Sequence, residues 1–543
     1  MKRALPVLLA ALGSAVFLWP AGDGLLGNPF AETHNHLWFF ARTLLGFRGN
    51  APVGWEVPLM DPPNLAWFAL GWQISPAVAW NAVAVANVAL ACLGGWVLGK
   101  TVSGSRSGAF VGMAAVGWSP FLSGVIDFGV TEAYPLGFYA LHVAMMERLR
   151  RMREEGEADS GPGGESPHAL ALSAGVTLGV FALSGWYNAA FALVATPVLA
   201  WRARSRSLII VGGSALVLVL PRFLDLLPHL DVWAGRAAAL SDPTPIRYWQ
   251  HQERYGIDLL RFLPSTDTFT PSVSVYLGTI LSVLSCLAGR SGWRWLAMAL
   301  PLWLLALGHW LRVGGGVVGG ESPLLMPAGW LVNQFEHARF VTHWYRAAGP
   351  ATVLLAAAAA IGAARLERRV PAGVLGPLLA VVVLVDGLAF SSTPWPRVAS
   401  PLPVAPELGL DGPVLDLPVD DNRTPPERFG SRRPYWMWQV THQQSVAENY
   451  EGADSVLRKS GEARALQAAC GGLPVSRPGA LDSGITDPNS DSVSLFALGF
   501  RWVVVHEQLA PAGCVDAVEA RFGAPTVQNS GAVGWRIGQA VPG

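Results

Sequence analysis

Apolar stretches long enough to cross a bilayer recur down this chain, and they restrict its fold more than any other feature. A spanning helix needs roughly 20 mostly apolar residues. Such stretches lie near 4–20, 76–99, 108–126, 130–147, 168–185, 186–201, 207–224, 273–289, 295–311, 346–364 and 371–390. They predict an α-helical polytopic membrane protein of about eleven transmembrane helices. The pair 168–185 and 186–201 is divided only by Gly185-Trp186-Tyr187-Asn188, so it reads either as two short spans or as a re-entrant pair. Composition agrees. Hydrophobic residues make up 51 % of the 543 and charged residues 14 %, against about 25 % charged in soluble domains. Mean hydropathy is +0.36.

Loop charge tests the count independently, because Lys and Arg collect in cytoplasmic loops. Alternate connections carry Lys2-Arg3; Lys100 with Arg106; Arg148, Arg150, Arg151 and Arg153; Arg202, Arg204 and Arg206; Arg290 with Arg294; and Arg365, Arg368 and Arg369. The connections 126–130 and 185–188 carry no cation. An error of one span would break this alternation. The pattern places the N-terminus in the cytoplasm and the tail outside. The first segment reads as an anchor, since no clear small-x-small cleavage site precedes Asn28-Pro29.

The regions 21–75, 225–272, 312–345 and 391–543 are then extracytoplasmic, with residues 1–390 as the bundle and 391–543 as a separate domain. Connections longer than about 12–15 residues usually have a functional reason. In the first loop, His34 to Phe47 reads as a helix with Leu37, Phe40, Ala41 and Leu44 on one face, lying flat on the membrane. Leu65 to Ile74 follows the Asp61-Pro62-Pro63-Asn64 turn as a second interfacial segment. Beyond Ser391 the pattern changes. Short β-type runs at Val414–Leu417 and Arg501–His506 flank a helical stretch, Ala453 to Ala469, which predicts a small α/β domain. Cys470 and Cys514 fall in it, on the oxidising side, as a disulfide or as two free thiols. Cys92 and Cys286 fall in spans. The glycine run Val313 to Gly320 reads as a flexible loop.

Basic and acidic residues balance at 38 each, with 26 and 22 in residues 1–390 and 12 and 16 in 391–543. This balance gives no reason to expect a nucleic-acid partner; membrane lipids are the expected surroundings. The chain has no P-loop, no Gly-x-Gly-x-x-Gly after a strand, no Gly-x-Ser-x-Gly and no His-Glu-x-x-His. That counts against a cytoplasmic nucleotide-sugar enzyme.

Ionisable residues at membrane depth mark functional paths by default. Here they gather at one end of the helices: Glu32, His34 and His36; Asp61; Asp127 and Glu132; Arg222 and Asp225; Arg339 and His343. Glu32-x-His34-x-His36 would offer a divalent metal three ligands from an extended segment. If the segment is helical from His34, the two imidazoles diverge by about 200° and share no metal. The competing reading makes them polar residues at a helix start, with Glu32 or Thr33 as N-cap. Asp127 and Glu132 are catalytic candidates or the wet ends of their helices. Trp38, Trp55, Trp67, Trp72, Trp249, Trp330 and Trp344 could stack on sugars or form an interfacial belt. His142, His309 and Asp386 read as polar groups inside the bundle. No cofactor is indicated.

The arrangement resembles the GT-C superfamily of polytopic membrane glycosyltransferases. The resemblance rests on the long first loop with its acidic residue (Gly22-Asp23 to Trp38, with Glu32). It continues in Gly-Val-Ile-Asp-Phe-Gly-Val-Thr-Glu-Ala-Tyr-Pro-Leu within 124–148, in Ala338-Arg339-Phe340, and in Leu498 to His506. It implies inverting transfer of a sugar from a polyprenyl-phosphate-linked donor on the outer face. The first-loop carboxylate, usually Asp and here Glu32, would be general base on the acceptor hydroxyl. Arg339 would neutralise the departing phosphate, and His34, His36, Asp61 and His343 would line the substrate site. The alternatives are a transporter or flippase of an envelope lipid, or a non-catalytic scaffold. Transporters tend to show repeated halves and charges near the midplane, and neither is evident here.

Overall fold

A computed structural model describes residues 11–13, 15–16, 18–20, 23–29, 31–46, 50–51, 61–154, 166–201, 203, 205–227, 257–263, 275–320, 322–335, 338, 341, 343–369, 372–393, 395–399, 408–418, 438–439, 446–447, 460–470, 493–529 and 531–538. The chain divides into two compact units, Met1–Asn28 with Met60–Val398 and Pro29–Leu59 with Ala399–Gly543.

The first unit is helical. Among the described residues, five helices are long and apolar enough to cross a membrane: Pro76–Ser103, Arg106–Phe128, Pro167–Ser184, Ser205–Asp225 and Trp344–Glu367. Trp186–Ala200 and Val374–Phe390 are shorter apolar helices. Local sequence sets the ends. Ser75 Oγ accepts from Val78 N at 3.1 Å, with Pro76 at the first helical position, and Gly104 closes the same helix in the left-handed region at φ 71°. Ser105 and Ser119 cap the next two segments through Gly108 N and Leu122 N. Pro120 lacks an N–H and starts a new helix at Pro120–Phe128, so the span from Arg106 is broken between Gly117 and Pro120.

Lipid tails are as apolar as leucine, so helices here associate through close packing of small residues. Pro76–Ser103 and Arg106–Gly117 meet glycine on glycine: a Cβ at Gly95 would run into Gly112 O, and one at Gly99 into Gly108 O. Ala348–Glu367 lies at the centre, with Ala356 to Ala360 fully buried.

Several expected spans differ in detail. Among the described residues of the stretch 273–289, the helix Thr279–Leu287 has nine residues, about 13 Å, too short to cross a bilayer by itself. It gives way to Gly289–Ala306. Asp386 sits inside the bundle as expected, accepting from Tyr276 Oη at 2.8 Å and from Ile280 N at 3.1 Å. His142 is likewise interior, its Nδ1 2.9 Å from Ala174 O. The glycine run is not a flexible loop. Arg312–Val313 pairs antiparallel with Gly316–Val317 across Gly314 and Gly315, both at positive φ, and Asp258 accepts from both of those glycine N–H groups.

The second unit holds a six-stranded mixed sheet in the order Asn50–Ala51, Val446–Ala447, Val414–Leu417, Trp502–His506, Ala532–Arg536, Val527–Asn529. The first four strands are parallel and the last two pairings antiparallel. Val414–Leu417 falls where the sequence put it, and Trp502–His506 begins one residue later. The predicted helix from Ala453 is described only as Gly461–Ala469, since 453–459 lie outside the described residues. Leu415, Leu417, Val503, Val505 and Trp535 form one core with Leu466, Val518 and the Cys470–Cys514 disulfide. Pro29–Leu59, assigned to the bundle from sequence, belongs with this unit. Its helix Thr33–Leu45 does not present its apolar face to lipid as expected. Leu37, Trp38, Phe40 and Ala41 are buried, and Trp38 Nε1 donates to Gln439 Oε1 at 2.8 Å.

Candidate functional site

At one end of the helical unit, the Gly129 turn and the short helix Thr131–Ala133 bring together polar groups from distant parts of the chain. Gly129 ends Pro120–Phe128 in the left-handed region at φ 80°, and its N–H bonds back to Val125 O and Ile126 O. This reversal places Glu132 beside the start of Trp344–Glu367. There Glu132 Oε1 lies 2.9 Å from Arg346 Nη2. The guanidinium is 5 % exposed, so its charge depends on this carboxylate rather than on water. It also stands 4.7 Å from the Tyr187 ring centroid. Tyr187 Oη lies 3.3 Å from His343 Nδ1. Asn188 Nδ2 donates to Glu132 O at 2.7 Å, which fixes the turn.

A second network adjoins the first through Thr131. Asn64 Nδ2 donates to Asp61 Oδ2 at 2.8 Å and to Thr131 O at 2.9 Å, while Asn87 Nδ2 donates to Asn64 Oδ1 at 2.6 Å. Asp61 is buried. Loss of water pushes its carboxyl up to about 7, and hydrogen bonds from Asn64 and Thr131 oppose that rise while the Glu132 charge adds to it.

Asp127 has a different task. Its Oδ1 accepts from Arg397 N at 2.7 Å and its main-chain oxygen from Asn28 N at 2.6 Å, so it ties two crossing segments to the helix end. Asp127, Glu132, Asp61 and His343 therefore all lie in the helical unit, and Glu132 meets a cation there. Arg222 pairs with Asp225 at 3.8 Å. Arg339 lies outside the described residues.

Glu32, His34 and His36 belong to the second unit. Glu32 is the N-cap of Thr33–Leu45 by position, without a side-chain capping bond, and its Oε2 accepts from Asn35 Nδ2 at 2.5 Å. The helix begins at Thr33, so the two imidazoles diverge by about 200°. His34 is buried, which lowers its pKa to about 4. No group of three metal-ligating side chains occurs among the described residues.

Arg346, Tyr187, Asn64, Asn87 and Asn188 carry much of this geometry and were not singled out from sequence. Arg346 had a signal: it opens an apolar segment of twenty residues, where a cation needs a partner.

No family model and no curated protein matches the chain. Among solved structures, arabinofuranosyltransferase AftD from Mycobacteria is similar over 99 % of this chain and 40 % of its own, with TM-score 0.50 and 14 % identity. The chain thus spans less than half the length of that protein. ArnT from Cupriavidus metallidurans, solved bound to undecaprenyl phosphate, aligns over 98 % of this chain and 97 % of its own, at TM-score 0.47 and 12 % identity. The oligosaccharyltransferase AglB from Archaeoglobus fulgidus, solved with an inhibitory peptide and a dolichol-phosphate, aligns over 93 % and 70 %, at TM-score 0.42 and 11 % identity. The chain has a GT-C-like fold and is an integral membrane protein.

Proposed function

We propose that this protein is a GT-C-type membrane glycosyltransferase. It moves a sugar from a polyprenyl-phosphate-linked donor to a cell-envelope acceptor on the outer face of a bacterial inner membrane. In this reading the bundle has about eleven spans, the N-terminus is cytoplasmic and the 391–543 domain is extracytoplasmic. The fold likeness to an arabinofuranosyltransferase supports it. The observation that carries it is Arg346, a guanidinium buried at a helix start against Glu132 and beside Tyr187 and His343.

Inverting transfer needs two things from the protein. A base takes the proton of the acceptor hydroxyl as its oxygen bonds to the anomeric carbon, and a fixed positive group receives the charge left on the phosphate as the sugar–phosphate bond breaks. Arg346 is pre-positioned for the second role, with Glu132 holding it. Arg339 is a second cation implied by the resemblance. Glu32 is the base implied by that resemblance, and Asp61, tuned to about 7, is the other carboxylate suited to it.

Purified full-length protein in proteoliposomes, given a labelled polyprenyl-phosphate sugar, tests the assignment. Glu32→Gln should lower transfer about 10²–10⁴-fold while leaving expression intact. Full transfer by Glu32→Gln, with loss in Asp61→Asn, would move the base to Asp61. Full transfer by both would remove the base assignment.

A further inference from the structure

The opposite end of the helical unit carries a second charged cluster that sugar transfer does not use. Glu147 lies eleven residues into Leu136–Glu154, about 17 Å along the axis from the Glu132 end. Its carboxylate is 2 % exposed and is shared by three guanidiniums: Arg150 Nε at 2.9 Å, Arg151 Nε at 2.9 Å and Arg294 Nη2 at 2.6 Å. Arg150 also meets Glu154 at 2.5 Å, and Arg153 donates to the neutral Ala203 O at 2.8 Å. Among the described residues, three guanidiniums thus converge on one buried carboxylate, and only Arg150 has a second one in Glu154. The arginines of the triad keep 19 %, 36 % and 32 % of their side-chain surface open, so they can take a further anion.

An apolar groove of about 560 Å³ runs along the same helix as Arg294, lined by Trp293, Leu296, Ala297, Leu300, Leu304 and Pro327 among others. Ala297, in the groove's wall, follows Arg294 at i+3, about one turn along the helix. Trp293 is 67 % and Leu300 53 % exposed, so the groove opens sideways. From Arg294 to Leu304 the helix rises about 15 Å, and the lining continues past it to Leu305 and Pro327.

The geometry points to a resident anionic phospholipid: its phosphate sits on Arg150, Arg151 and Arg294, and one acyl chain lies along the groove. Basic pockets between spanning helices recognise anionic headgroups in this way. Here the arginines lie at the end away from Glu132 and Arg346, and the groove leads from their helix turn toward Leu305 and Pro327 at the other end. The ligand is a membrane lipid and takes no part in the transfer.

Native mass spectrometry of the full-length protein in detergent, titrated with phosphatidylglycerol or phosphatidylcholine, tests this. The wild type should retain phosphatidylglycerol about tenfold or more over phosphatidylcholine. Arg151→Gln with Arg294→Gln should bring the two lipids near parity. Ala297→Trp, on an exposed position that keeps every arginine, should weaken both lipids alike, and it keeps the test valid if the double variant does not fold. Equal retention of the two lipids by the wild type would overturn the proposal. So would a preference for phosphatidylglycerol that survives the double variant, or Ala297→Trp leaving retention unchanged. Undecaprenyl phosphate retained equally by wild type and double variant, displacing phosphatidylglycerol, would assign the groove to a donor instead and also overturn it.

Discussion

A carboxyl without water is most comfortable protonated, and Asp61 shows what that means for stability. Its pKa rises from 3.8 to about 7 on folding, chiefly through burial. The folded chain therefore holds a proton that the unfolded chain releases between about pH 4 and pH 7. Stability falls as pH climbs through that window and stays low above it. At 1.36 kcal/mol per unit, the full effect is on the order of 4 kcal/mol. Asp61→Asn keeps an acceptor for Asn64 and cannot ionise. Its melting temperature should match the wild type at or below about pH 4 and exceed it at pH 8, as read by thermal shift in detergent. A constant gap across pH would show that Asp61 is not the titrating group. Asp61, Asp127 and Glu132 were legible in the sequence because charges at the ends of apolar segments stand out. Their roles were not, since Arg346 and Arg397 lie far along the chain from Glu132 and Asp127, and Asn64, though three residues from Asp61, is held by the distant Thr131 and Asn87.

Helix ends are written locally, and the Ser-Pro starts and glycine stops of Pro76–Ser103 and Pro120–Phe128 could be read directly. Helix contacts are not local. Nothing in hydropathy distinguishes Gly95, packed against Gly112, from Gly212, which has no neighbour within 4 Å of an added Cβ. Gly95→Val should force the two backbones apart, at about 1–3 kcal/mol or more, while Gly212→Ala should be neutral or slightly stabilising. Melting temperatures of the two variants check this, and equal effects would mean that the glycine contact does not hold the helices. The hairpin at Arg312–Val313 and Gly316–Val317 was missed although its Gly314-Gly315 pair is a turn signal for two positive-φ residues. Strands of two residues leave too little alternation to support the turn.

Across the whole chain, hydropathy gave the membrane class, and the spacing of Val414–Leu417 and Trp502–His506 gave the α/β character of the tail. It could not show that Pro29–Leu59 folds with residues 399–543, because Asn50–Ala51 joins the sheet from nearly 400 residues away from Val446–Ala447. The Cys470–Cys514 bridge bears on orientation, since such bonds persist where the compartment is oxidising. A reporter fused after Gly543 should be active only outside the cytoplasm, and a cytoplasmic signal would overturn both orientation and span count. The most direct test of the transferase reading is the pool of polyprenyl-phosphate-linked sugars in cells with and without this protein, measured beside the envelope glycan. One lipid-linked sugar should accumulate on loss of the protein while a glycan linkage disappears, and restoring the wild type but not Glu32→Gln should reverse both. An unchanged pool with an unchanged glycan profile would contradict the transferase.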